Sequence, residues 1–296
     1  MHLVLGHSHD SCCRGVMKRL AAEGRAAQLT EALFRAPTRY SLRIASDGTS
    51  SSSLAIGDGP EEPVESVLVR ARAALDPAGW STVDHSYMQA ETEAAVLGWL
   101  SALDCPVINR LDAETWYRPR TMLLHWMPLL RGSGLPTPET VVTDSTEAVA
   151  AFRRRLDTSD TPGAIFKSLR RNQAWLVGAG DWDGVAALQA HAPVCLAEPH
   201  GPVTVLCIVG ERIVWGGQAS VAERALSGRL MHFAHLAELA FVEIALGRLP
   251  EGPAVIHVDP LPWLEHFDAT NQDEIIEALV DLLTGRASGM AREALP

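Results

Sequence analysis

The chain has 296 residues, 47% of them apolar and 21% charged, with a net charge of −11. That length exceeds the roughly 100–200 residues of one domain, so two or three core-bearing units are expected. An acidic surface disfavours DNA, RNA and anionic membranes, which need basic patches, but leaves room for a small anionic ligand held by a few local cations.

In chain order, residues 2–6 read as an apolar strand. A polar turn follows, then a helical pattern over 13–23 that stops at Gly24, the opening of an open α/β unit. Residues 46–63, rich in Ser, Gly and Asp, read as loops around short strands. Residues 67–69 give a buried strand, 89–103 a helix, and 105–108 a strand closed by Asn109. A helix over 116–132, limited by Pro119 and Pro128, leads into a break at Leu135-Pro136-Thr137-Pro138. Residues 140–143 are a strand, and Ser145 is placed to cap a helix reaching Leu156. Strands follow at 164–167, 175–177 and 194–198. Residues 203–209 and 212–216 form a hairpin around Gly210-Glu211. A helix over 232–238, strands at 241–245 and 254–258, and a helix over 273–283 complete the pattern. The tail after Gly285 reads as disordered. This gives units at 1–112, 113–193 and 194–285, with a tail at 286–296.

No run approaches the ~20 apolar residues of a membrane span. The start, MHLVLGHSHDSCCRG, turns polar too early for a signal peptide. Five cysteines without CxxC spacing argue against a disulfide framework or zinc knuckle and fit a reduced, cytoplasmic setting.

Several segments, in this order, resemble the ATP-grasp proteins. They are similar above all to the ribosomal-protein glutamate ligases and the ligases that cyclise ribosomally made peptides. Gly134-Leu135-Pro136-Thr137-Pro138-Glu139-Thr140-Val141-Val142-Thr143 is the most specific match. Cys105-Pro106-Val107-Ile108-Asn109 is similar to the strand closing the family's first domain. Ile165-Phe166-Lys167 resembles the strand whose lysine meets nucleotide phosphates. Glu198, before Pro199-His200-Gly201, resembles the hinge over adenine. Glu243 and His257-Val258-Asp259-Pro260-Leu261-Pro262 resemble the strands that carry metal ligands.

The resemblance implies an α/β fold: an N-terminal open α/β domain, then two α+β subdomains around a nucleotide cleft. It implies an ATP- and Mg2+-dependent carboxylate–amine ligase working through an acyl phosphate on an amino acid or peptide, and a homodimer or homotetramer. Each residue type has a chemical reason. A triphosphate needs cations, and Lys167 offers a point charge at a strand end. Magnesium favours hard oxygen ligands such as Glu243 and Asp259. Leu196 and Glu198 would offer hinge backbone groups to adenine.

The sequence also departs from the pattern. The family's first nucleotide lysine falls near Arg118 or Arg120. The glycine-rich phosphate loop is replaced by Ser168-Leu169-Arg170-Arg171-Asn172-Gln173, where Arg170 and Arg171 would substitute guanidinium groups for backbone amides. Thr204 stands where the hairpin arginine is expected. His257 replaces a glutamate and Asp259 an asparagine, and a His/Asp pair suits zinc, Mn2+ or iron better than magnesium. Two other readings follow. One is a catalytically degenerate ATP-grasp protein that binds a partner. The other is a metal-dependent hydrolase or oxygenase built on His7 and His9, with His232, His235 or His257 as distant ligands. Against that metal reading, a polar strand-to-helix turn with Asp10 or Ser11 capping the helix is the plainer account of the segment. Separately, Cys12 and Cys13 at a helix N-terminus raise the option of a reactive thiol, beside the plainer account that one is simply buried.

Overall fold

The computed structural model describes residues 1–31, 38–70, 77–109, 123–157, 163–169 and 173–286. Its first unit is a parallel sheet in the order β2-β1-β6-β7, built from β1 (His2–Leu5), β2 (Ala27–Thr30), β6 (Ser66–Val69) and β7 (Val107–Ile108). β1 and β6 are buried along their whole length, as a parallel sheet covered on both faces requires. Leu3, Leu5, Val67 and Val69 point to the face covered by α2 (Thr82–Ala102), where they meet Trp99 and Leu100. Val4, Leu68 and Ile108 point to the other face, against α1 (Ser11–Ala22) and the C-terminal helix α8 (Ala269–Leu283). Asp10 caps α1, its carboxylate accepting from the amides of Cys12 and Cys13.

Residues 46–63 hold more order than expected. β3 (Thr38–Ile44), β4 (Ser50–Ile56) and β5 (Glu62–Pro63) form an antiparallel sheet. Serines have weak strand preference, but here Leu54 is buried beside Trp99, whose indole N–H donates to Ser52 Oγ at 2.6 Å. α2 likewise starts seven residues earlier than the periodicity shows, because Ser81 caps it by accepting from the Asp84 amide.

The central sheet is antiparallel, in the order β10-β9-β11-β8. Its strands are β8 (Thr140–Thr143), β9 (Ala164–Lys167), β10 (Ala174–Val177) and β11 (Val194–Ala197). Helices α4 (Thr146–Leu156) and α5 (Trp182–Gln189) cover one face through Phe152, Leu156, Trp182 and Val185. The sequence pattern does not show α5, since Gly184 and the preceding Gly178-Ala179-Gly180 mask its short apolar stripe. β11 pairs with both β8 and β9, so Val194–Ala197 lies in the central sheet although the sequence reading places a boundary at 193/194.

The third sheet is antiparallel, in the order β13-β12-β14-β15, from β12 (Val203–Val209), β13 (Arg212–Trp215), β14 (Phe241–Leu249) and β15 (Gly252–Asp259). One face carries α3 (Leu123–Gly132) and α7 (Ser227–Leu236), through Trp126, Leu130, Leu230 and Phe233. The short α6 (Val221–Arg224) precedes α7 and is closed by a capping box between Ser220 and Glu223. On the opposite face Cys207, Val209 and Phe241 share one core with α1 and α8. The C-terminal helix thus lies between the first and third sheets and packs against both. The helix expected over 116–132 is seen from Leu123; residues 110–122, and the tail over 287–296, lie outside the described residues. No helix among the described residues is long and apolar enough to cross a membrane.

Candidate active site

Glu243 and Asp259 are direct register partners on β14 and β15, so their side chains leave the same face of the sheet side by side. Each is only 3% exposed. Among the described residues no lysine or arginine forms an ion pair with either. Glu243 is instead gripped from one side. Its Oε2 accepts from the Trp263 amide at 2.9 Å, and its Oε1 lies 2.8 Å from His266 Nδ1. Asp259 Oδ1 accepts from the Leu261 amide at 2.8 Å, the turn expected of Asp before Pro260. Burial pushes the Glu243 carboxyl above its ordinary range; the Trp263 and His266 bonds pull the other way, and the Asp259 charge adds to the rise. Two buried carboxylates with little positive charge beside them are a hard-oxygen pair that a divalent cation would neutralise. On this chemistry the residues fit Mg2+.

Lys167 ends β9 on the central sheet and reaches across to the third sheet. Its Nζ donates to the Ile256 carbonyl at 3.2 Å. That carbonyl is available because of a register shift: Ala245 faces His257, Leu246 faces Val255, and Ile256 has no partner on β14. A bulge of this kind takes a residue out of the ladder and re-aims it. Desolvation lowers the Lys167 pKa, with the neighbouring Cys195 thiol opposing the shift. Lys167 and Cys195 are register partners on β9 and β11. A half-buried ammonium with one carbonyl partner is suited to an incoming anion. Gly247 fits here too, since a Cβ would lie 2.8 Å from both the His200 ring and Ile256 Cγ2.

Not every expected residue joins this group. His257 faces Ala245 and is two residues from Asp259 on the same side of β15, but its ring is not among side chains that converge as metal ligands within the described residues. Leu196 has its side chain fully buried in the core with α4 and α5 and is a register partner of Val141 on one side and Phe166 on the other. Glu198 follows β11. It exchanges bonds with Glu139 and lines a cavity of about 710 Å3 with Arg155, Glu251 and Pro253, apart from Lys167. Burial, and then the Glu251 charge, raise the Glu198 carboxyl pKa, with Arg155 opposing. Arg118, Arg120, Arg170 and Arg171 lie outside the described residues. The reactive-thiol option fails on burial: Cys12 and Cys13 are fully enclosed, and desolvation pushes both thiols up to about 12. The distant-histidine option also fails, since His235 pairs with Glu211 and neither it nor His232 approaches His7 and His9 as a ligand.

Two residues that position the carboxylates are not marked by sequence reasoning. His266 gives no signal, because its approach to Glu243 depends on the short 3-10 turn Leu264–His266. Asn109 is legible only as a strand terminator. It is buried, adopts φ 52°, and its amide accepts from Phe241 N while donating to Phe241 O and to Pro260 O. One side chain from the first unit therefore holds the start of β14 and the residue after β15.

The sequence matches no family model and no curated protein. Solved structures match over nearly the whole chain. The macrocyclase MdnC of Microcystis aeruginosa MRC, solved with the precursor peptide MdnA, is 18% identical, with 96% of this chain and 99% of that chain covered and a TM-score of 0.74. The ATP-grasp ligase PsnB, solved with a minimal precursor, Mg and ADP, is 16% identical over 96% and 98% of the two chains, TM-score 0.74. A peptide-associated ATP-grasp ligase of Chryseobacterium gregarium, solved with ADP and a leader and core peptide, is 12% identical over 96% of each chain, TM-score 0.73. The chain has the ATP-grasp fold.

Proposed function

We propose that the protein is an ATP- and Mg2+-dependent ligase that joins a carboxylate to an amine on a peptide. The observation that carries this reading is the buried Glu243–Asp259 pair, with Lys167 entering from the facing sheet. The fold shared with peptide-bound ATP-grasp ligases supports it. In this scheme Glu243 and Asp259 would hold magnesium, which supplies charge neutralisation at the triphosphate. Lys167 would bind a phosphate oxygen, exchanging the Ile256 carbonyl for a stronger charged partner. The substrate carboxylate attacks the γ-phosphorus and ADP leaves. The amine then adds to the acyl phosphate, inorganic phosphate departs, and an amide remains. Chemistry of this kind depends mainly on positioning and charge neutralisation.

A test that needs no knowledge of the natural peptide uses hydroxylamine as the nucleophile. Incubation with Mg·ATP and an Asp- and Glu-rich peptide should yield ADP and a peptide hydroxamate. Wild-type protein that binds Mg·ATP yet forms neither ADP nor hydroxamate over a panel of such peptides would favour the non-catalytic reading. One feature of the sequence favours that second reading: between Lys167 and Gly178 there is no glycine. Side chains with a Cβ hinder the close backbone approach that a phosphate-covering loop makes.

A further inference from the structure

The chain carries a second cluster of metal-ligand types, remote in character from the oxygen pair at Glu243 and Asp259. His7 and His9 follow β1 directly, and Glu31 follows its neighbour β2. One ligand atom from each of the three lies within 4.8 Å of the others, and among the described residues no other group of three does so. The two imidazoles stand nearly parallel, 14° apart with centroids 5.1 Å apart. Glu31 is not a loose surface acid. Its Oε1 accepts from both the amide and the hydroxyl of Ser8, at 2.8 and 3.0 Å. That grip leaves Oε2 turned towards His7 Nδ1, at 3.6 Å. The site crowns the carboxyl end of β1, the strand at which the sheet order reverses. In open α/β sheets ligands collect at that edge and that reversal.

We propose that His7, His9 and Glu31 form a binding site for a borderline divalent transition-metal ion, with Zn2+ the probe. Two imidazole nitrogens and one carboxylate oxygen suit zinc, cobalt, nickel or copper, and suit magnesium poorly. Ligand atoms around a tetrahedral zinc sit about 3.4 Å apart. Small rotations of three exposed side chains close the remaining gap at little cost. Three protein ligands leave a coordination position open to water or to an external donor such as a peptide carboxylate. The site is independent of the ligase reading, because none of its residues touches Lys167, Glu243 or Asp259.

The experiment is a calorimetric titration of the full chain with Zn2+ in excess Mg2+, repeated with Co2+ and read by visible absorption. Wild-type protein should bind about one Zn2+ per chain, and Co2+ should give ligand-field bands of a low-coordinate N,O site. The double variant His7→Ala/His9→Ala should weaken binding by at least about 100-fold, since even the loss of a supporting partner costs 10–100-fold. Glu31→Gln, a milder change, should weaken it without disturbing the fold, because the amide oxygen still accepts from Ser8. Glu243→Gln/Asp259→Asn should leave zinc binding intact. Absence of saturable zinc binding by the wild type would overturn the proposal. So would binding that survives both the double variant and Glu31→Gln, or that disappears with Glu243→Gln/Asp259→Asn.

Discussion

Glu243 shows the cost of burying a carboxylate in the free protein. Its carboxyl is buried and its pKa raised, so the folded state favours the neutral form. The stability tied to that form is complete below the ordinary carboxylate range and is lost as pH rises through the raised folded value. Glu243→Gln removes the titration and keeps acceptors and donors of the same shape. The metal-free variant should therefore match or exceed wild-type stability at mildly alkaline pH, with a flatter fall between acid and alkaline melts. Thermal unfolding followed against pH without divalent cations measures this, and a variant less stable at every pH would contradict it. Lys167 has the mirrored cost: with a lowered pKa its ammonium is penalised at neutral pH, and the penalty is relieved as pH rises through that lowered value towards the ordinary lysine range. Both residues are legible in the sequence because each ends or interrupts an apolar strand with a charge. His266 is not, because nothing in a single histidine announces which carboxylate a later turn brings to it.

At the scale of elements, placing the carboxylates falls to a strand register and one asparagine. Asn109 in the left-handed region makes three hydrogen bonds to the ends of β14 and β15. Asn109→Ala removes all three and leaves backbone groups unpaired, so a loss of about 2–4 kcal/mol is expected, with weaker Mg-nucleotide binding in the refolded variant. Denaturant melts and calorimetry report the two effects separately. The regular strands over 140–143 and 164–167 and the Ser145-capped helix are readable from apolar runs and cap chemistry. The bulge at Ile256 is not: alternation is a two-residue rule, and one extra residue is visible only when the partner strand is known. The hairpin of β3 and β4 escapes for a related reason, since four successive serines become a strand only through Trp99 and its neighbours in the core.

At the scale of the whole molecule, the sequence order of the units differs from their packing. α8 comes last in the chain yet joins α1, β6 and the third sheet in one core, with Leu279 fully buried there. Leu279→Ala should cost about 2–5 kcal/mol, as large-to-small changes in a tight core do. The loss should appear as a shift of the transition that reports both outer sheets, not as early melting of the first sheet alone. Residues 1–112 therefore read as a unit in sequence but share their core with residues beyond 264. A pattern read along the chain has no means of showing that a terminal helix returns to its start.

Stabilisation by nucleotide tests the cleft most directly, by thermal unfolding with and without saturating Mg·ADP. A ligand at about 100 times its Kd adds roughly 2.7 kcal/mol to the native state. Wild-type protein should melt several degrees higher, about 2–4 °C per kcal/mol for a chain of this class. The shift should need magnesium, and Lys167→Ala, still folded, should lose it. No shift in the wild type, or an undiminished shift in Lys167→Ala, would contradict a nucleotide cleft formed by Lys167, Glu243 and Asp259.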